Sequence, residues 1–528
     1  MNTRQKLTST IGAIRSIWAG SGDTFNRMQV AEITHRLERK YGTRAVESFA
    51  KRHYDAGSVN RFRDDWRANA GAPYADIRND LVRMIARSRS EVDNNGIAQG
   101  IVNTLLTNVI ATGLWPKPVV KDDKRNLIDS INKPLEEGFE RFADQFDASG
   151  YGTFYENLST VLRTEISSGT TLVNRVNNPR SNRFLHIAYQ HFEPDRLDTN
   201  TDSYGYIGTT GAGSVLSGAK GKGQKIILHG IEIDEYFRPV NYYIAGRENP
   251  VSAQNMFHHY KRKRYEQIIG VPWLHASLPD LWDYRQLKED NLIKSRILAD
   301  IALWSSTDGE GAFDKDLDNS ETWTWEPGSW LKSKNEPKVL QADDKVAETL
   351  KPLLKLVLLD ACAGAGISYM AVSRDMDGVN FAASRTNLTE DRRYYRVLQG
   401  HLVSGYCSRI WEQYVEQMVL EGKVPGLSVS DYLADPWKYT RCNWRAEGWD
   451  WVDPRNDATA SKTMYEAGLT TLEDEYAKRG RDWRDAIDQR AEEQEYAKSK
   501  GVDLLPVGGK STINSGDGDD GDDGYNDE

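Results

Sequence analysis

The sequence predicts a helix-rich α+β protein, on three observations. Apolar residues recur at helical spacing over long segments on both sides of the chain's centre. Between Thr170 and Gly246 that spacing gives way to short β-branched and aromatic runs. After "GVPWLHASLPDL" the helical period returns and persists almost to the end.

Taking the elements in order, residues 24–92 read as helical. "DNNGIAQGIVNTLLTNVIATG" then opens on Asp93, Asn94 and Asn95, each a good N-cap. Ile97, Ile101, Leu105 and Val109 recur at i+4, and Gly113 is the expected stop. Trp115, Pro116 and Pro118 force extended chain. Residues 133–168 are again helical. In the β-rich block, "DEYFRP" reads as a turn joining "GIEI" to "VNYYI", and "GTTGAGSVLSGAKGKGQK" reads as a mobile glycine-rich loop. Residues 280–304 place Ile293, Ile297, Ile301 and Trp304 on one helical face. Residues 307–342 break the period, and a helix resumes near 344–363 with Pro352 in its first turns. Residues 384–421 predict one long helix with Tyr395, Leu398, Leu402, Tyr406, Ile410, Tyr414 and Met418 along one side. Two further helices are expected over 456–500, and the "SGDGDDGDDGYNDE" tail has the composition of a disordered segment.

At 528 residues the chain is long enough for two to four domains, and 39 % hydrophobic residues can form real cores. A formal charge of −10 argues against a free sequence-reading DNA binder, which needs a cationic surface. The charge is polarised. Residues 1–92 hold 17 Lys+Arg against 10 Asp+Glu, and residues 491–528 hold 3 against 11. Cys362, Cys407 and Cys442 are too few and too scattered for a disulfide framework, which fits a reducing compartment. No apolar run is long enough for a spanning helix or a signal peptide, so no membrane partner is expected.

Catalytic signatures are missing. "GGKST" at 508–512 echoes a phosphate-binding loop, but Leu504 stands where the first glycine is required. No zinc-ligand spacing occurs, and His258 and His259, adjacent on a strand, point to opposite faces. Neither a metal, a cofactor nor a catalytic residue is therefore expected. Three groups stand out for binding. Lys261, Arg262, Lys263 and Arg264 form a basic rim suited to phosphate or to inter-subunit pairs. "WTWEPGSW" gathers Trp323, Trp325 and Trp330, either as a small core or as a contact surface. "DMDGVNFAASRTNL", with Asp375, Asp377, Asn380, Phe381, Ser384 and Arg385, lies where a loop meets the long helix, and Asn380 or Ser384 is the expected cap. A rival reading takes Asp453 and Asp457 as carboxylates of a metal-dependent nuclease or other packaging enzyme.

Several stretches together resemble the portal proteins of lambda-like tailed bacteriophages. They are "YDAGSVNRFRDDW", "RSRSEVDNNGIAQGIVNTLLTNVIATGLWPKP", "FEPDRLDT", "HGIEIDEYFRPVNYYI", "QIIGVPWLHASLPDLWDYRQLKEDNLIKSRILA", "GAGISYMAVSRDMDGVNFAASRTNL" and "DPRNDATASKTMYEAGLTTLEDEYAKRGRDWRDAIDQRAEE". The sequence departs from the family pattern at Phe381–Ala383, where Tyr-Ser-Ser is usual, and at Ile269, where arginine is common.

The resemblance implies a ring of subunits, typically twelve, around a channel for double-stranded DNA at one vertex of the virion, assembled in the host cytoplasm. It implies an N-terminal region and wing over 1–275, stem helices over 276–306 and 343–366, and a clip over 307–342. A tunnel loop would cover 367–383, a long wing helix and β segment 384–455, crown helices 456–500 and an acidic tail 501–528. In that frame the tryptophans of the clip dock the terminase large subunit and later the head–tail connector proteins. The loop residues Asp375 to Arg385 face DNA. The ring also meets the major capsid and scaffolding proteins. The motor ATPase is a separate protein.

Overall fold

The computed structural model describes residues 72–177, 182–202, 205–210, 213–217, 225–303, 329–330, 344–375, 380–449 and 453–502. The tryptophans Trp323 and Trp325, the loop acid Asp377, the "GGKST" stretch and the acidic tail lie outside these residues, as does most of the expected 24–92 helical region.

The first described helices are α1 (Pro73–Arg78), α2 (Leu81–Asn94) and α3 (Gly96–Val109). Asn95 separates the last two. Its side chain accepts from the Ile97 N–H at 3.0 Å and donates to Glu91 and to the Leu281 carbonyl, so one buried amide caps one helix and ties two others together. The chain then extends as β1 (Leu114–Pro118), whose prolines are tolerated in a two-stranded ribbon. Helices α4 (Asp129–Asp144) and α5 (Phe154–Ser168) follow. The latter opens on a capping box between Thr153 and Glu156.

The β-rich block holds β2 (Thr170–Asn177), β3 (Ile187–Phe192), β4 (Gly205–Thr210), β5 (Gly213–Ser217), β6 (Ile226–Leu228), β7 (Ile231–Ile233), β8 (Pro239–Tyr242), β9 (Val251–Ser252) and β10 (Met256–Tyr260). The strands make an antiparallel sheet of order β10-β2-β3 and another of order β6-β7-β8-β9. The turn at 234–238 joins β7 to β8, where "DEYFRP" places it. Part of the stretch read as a mobile loop is instead the β4–β5 hairpin, with Tyr206 opposite Leu216. Its glycines disguise the apolar pairs Tyr206–Ile207 and Val215–Leu216, which can pair as strands.

Helix α6 (Leu278–Asp300) and helix α7 (Asp344–Ala365) pack against each other. The pair is antiparallel, because Ser277 at the start of one donates to the Ala361 carbonyl near the end of the other at 2.7 Å. The first of them ends four residues earlier than its isoleucine spacing predicts. Ile301 belongs to β11 (Ile301–Leu303), which pairs in parallel with β12 (Ser329–Trp330), and Trp304 lies outside the described residues. The β-branched Ile301 and the partner strand together favour the extended state there.

Helix α8 (Tyr369–Ser373) precedes α9 (Phe381–Leu402). A π-helical turn at Val403–Cys407 then leads into α10 (Ser408–Leu420) without a break in direction of the buried stripe. Tyr395, Leu398, Leu402, Tyr406, Ile410, Tyr414 and Met418 are all essentially inaccessible, so the long helix is the spine of the main core. Around it pack Phe139, Phe142, Phe146 and Phe154, with ring centroids 5.2–6.1 Å apart. The remaining elements are α11 (Val429–Ala434), α12 (Pro436–Tyr439), β13 (Cys442–Ala446), α13 (Pro454–Glu466), α14 (Leu472–Ala477) and α15 (Trp483–Ser499). The terminal block thus has three described helical segments where two were expected. The Thr471/Asp474 capping box starts the additional one.

Candidate functional site

Side-chain contacts hold the described residues 366–375 that follow α7. Ser368 caps α8, and its N–H and hydroxyl both donate to the buried Asp391 carboxylate, at 3.0 and 2.5 Å. Asp375 accepts from the Tyr369 hydroxyl at 3.3 Å and lies 3.8 Å from the Lys355 ammonium. Its position is therefore set by both the preceding helix and α8. The long helix begins at Phe381, so Asn380 stands at the cap position. Ser384 is in the first turn, donating its N–H to the Asn380 carbonyl at 3.0 Å. This corrects the expectation that the loop runs to 383: the helix starts three residues earlier, at Phe381, and Ser384 is no cap. Arg385, the next residue, pairs with Asp457 at 2.7 Å, tying the long helix to α13.

That pair also decides against a carboxylate cluster at Asp453 and Asp457. Asp453 accepts from the Asn456 N–H as the N-cap of α13, and Asp457 is committed to Arg385. Both acids have structural work, and no lysine converges on them among the contacts described.

The basic run is divided among separate neighbours. Lys261 lies 4.9 Å from the Trp273 ring and 5.3 Å from Tyr394. Arg262 bonds the Arg264 carbonyl, Lys263 meets His275, and Arg264 pairs with Asp76 at 2.6 Å. Each of the four cations thus has its own neighbour, while Arg262, Lys263 and Arg264 remain exposed. Of Trp323, Trp325 and Trp330, only the backbone of Trp330 is described, in β12.

Two features escaped the sequence reading. One is apolar surface on helices. Helix α7 exposes Leu353, Leu356 and Leu359, at 45, 55 and 43 %, and α6 exposes Trp282, Leu292 and Ile293. Over α13 to α15, Ala497 is the one buried residue among those described, while Met464, Tyr465, Leu472, Ile487 and Tyr496 are exposed. This block is joined to the body by polar links: Arg385–Asp457, Arg445–Asp482 and Lys117–Asp485. Helices that keep apolar side chains uncovered in a single chain are the usual mark of a protein interface.

The other feature is a buried cluster of Glu165, His259 and His401. It joins the end of α5, strand β10 and the end of α9. His259 and Glu165 are buried, and His401 is partly exposed. Adjacent His258 indeed turns the other way, against Tyr242 and Tyr260. Burial alone would raise the Glu165 pKa, but the two imidazoles facing it bring it down to about 2. The three residues come from segments far apart in the chain, so no local spacing could announce them.

The chain matches the model of the phage portal protein, lambda family, over residues 60–399. It is 24 % identical over 480 residues to a probable portal protein of Halomonas phage phiHAP-1, covering 85 % of this chain and 88 % of that protein. A shorter match to portal protein B of Escherichia phage lambda is 24 % identical over 142 residues, 26 % of this chain and 27 % of that one. Among solved structures, the neck of an empty GTA particle overlaps 76 % of this chain and 94 % of its own, at 12 % identity and a TM-score of 0.39. The virion of a native gene transfer agent overlaps 74 and 89 %, at 14 % identity and a TM-score of 0.35. With the family's model matching well over half of its length, the chain belongs to the lambda family of phage portal proteins.

Proposed function

We propose that copies of this chain close into a ring, of about twelve subunits by analogy with its family, at one vertex of a phage head. Double-stranded DNA passes through the ring on packaging and on ejection. The observation that carries this reading is the apolar surface left uncovered on α6, α7 and the terminal helices. Neighbouring copies in a ring would cover it, and cyclic assemblies repeat one such contact at every interface.

The charge balance supports a conduit. Every cationic contact to phosphate strengthens binding, and a contact repeated around a ring would hold the duplex fast. A net charge of −10 per chain favours sliding over gripping. The antiparallel α6–α7 pair would be the stem and the chain between them, with Trp323, Trp325 and Trp330, the clip that docks terminase and later the connector proteins. The segment from Ile367 to Phe381 would face the DNA, with Asp375 and Asp377 repelling it and Phe381 touching it softly. The terminal helices would form the crown, and capsid and scaffolding proteins would surround the wing. Chemistry, including ATP hydrolysis, would be left to partners.

The test is a phage carrying Phe381→Ala together with Asp377→Lys. The expected result is rings that still assemble but particles that package or retain less DNA. Particles holding full-length genomes as well as wild type would remove the loop from contact with DNA.

A further inference from the structure

The Glu165–His259–His401 cluster combines burial with an unsatisfied pair of polar atoms. Glu165 Oε1 is 2.7 Å from His401 Nε2 and accounts for one carboxylate oxygen. The other oxygen, Oε2, lies 3.2 Å from His259 Nε2, yet both atoms are buried and neither has a hydrogen-bond partner. The separation permits charge attraction, but the direction is wrong for a hydrogen bond. Two opposed orphans at the heart of a well-packed core are costly unless something joins them.

The surroundings hold this arrangement in place. The His259 and His401 rings lie 4.4 Å apart and nearly parallel, at 27°. Gly405, within the π-helical turn, gives His259 its room: a Cβ there would sit 2.5 Å from Nδ1. Single π-turns inside α-helices recur at functional sites. Just after α5, Gly169 and Gly270 pack backbone to backbone. One ligand atom from each of Glu165, His259 and His401 lies within 4.8 Å of the others. Zinc bonds of about 2.0–2.1 Å to nitrogen and oxygen place neighbouring ligand atoms roughly 3.3 Å apart. The Oε2–Nε2 distance of 3.2 Å already meets this.

We propose that Glu165, His259 and His401 form a binding site for one divalent transition-metal ion of the zinc class. Two imidazoles and one carboxylate are a donor set that zinc takes readily, and hard cations such as magnesium prefer all-oxygen shells. His401, the most exposed ligand, is the entry and turns its ring toward the ion. The bound ion would satisfy Oε2 and the His259 nitrogen together. It would clamp α5, β10 and the end of α9 just before the π-turn, a structural use requiring no reaction.

The experiment uses the full chain, freed of metal with a chelator and titrated with zinc in excess magnesium, which occupies acidic-tail carboxylates. Wild type should take up one zinc per chain and melt at a higher temperature with it. His401→Ala takes the partner from the buried Glu165 Oε1 and should lower the metal-free melting temperature, but the folded variant should bind zinc roughly 100-fold more weakly. Glu165→Gln keeps shape and size and should lose the zinc-dependent shift too. Cobalt should give wild type the visible absorption of a four-coordinate ion. Failure of wild type to take up stoichiometric zinc overturns the proposal, as does unchanged zinc affinity in either folded variant.

Discussion

Single side chains in this protein often serve two elements at once, and their removal should be felt at both. Gly138 on α4 is one such position. An added Cβ would lie 2.5 Å from the Tyr414 hydroxyl, which bonds the Leu135 carbonyl, and 2.7 Å from the Met418 methyl. Gly138→Ala should therefore destabilise by about 1–3 kcal/mol, read as a lowered Tm, although alanine is the better helix former. Glu421 offers a pH test. Burial would raise its pKa, but bonds from Lys423, Gln417 and His186 bring it down to about 2. A carboxylate depressed in the folded state stabilises fully above its unfolded value and loses that contribution as pH falls toward the folded one. The Tm gap between wild type and Glu421→Gln should be widest near neutral pH and shrink as the pH falls from about 4.5 toward 2. A gap independent of pH would contradict the assignment. At this scale the sequence is legible where chemistry is local. Asn95 announces itself as a cap, whereas Glu165 meets His259 and His401 only through the fold.

Elements were legible to the extent that period and punctuation agreed. The Tyr395-to-Met418 stripe kept helical phase through the π-turn, and its burial follows directly. The start of that helix was misplaced because Phe381 to Ala383 carry no stop signal, and the true boundary depends on Asn380. Glycine composition hid the β4–β5 hairpin, and the isoleucine phase of α6 ran past its end because Ile301 finds a strand partner. The uncovered leucines of α7 belong to this scale. Replacing Leu353, Leu356 and Leu359 with serine should alter the subunit's own stability by no more than about 0.5 kcal/mol each, since none is buried in the chain. The same change should abolish or shrink the assembly in light scattering. An unchanged assembly would show that this face is not the contact between copies.

For the whole molecule, the charge polarity, the uncovered helix faces and the family membership converge on many copies around a passage. The stretches from "YDAGSVNRFRDDW" to the "DPRND" block carried the family, but no residue type or spacing fixes a subunit number or a bore lining. Those are properties of contacts between chains. The most direct measurement is cryo-electron microscopy of the purified full-length chain with no symmetry imposed. Closed rings with a central opening wide enough for a duplex are the predicted result. Particles that remain single chains at concentrations where the fold is intact would contradict the account.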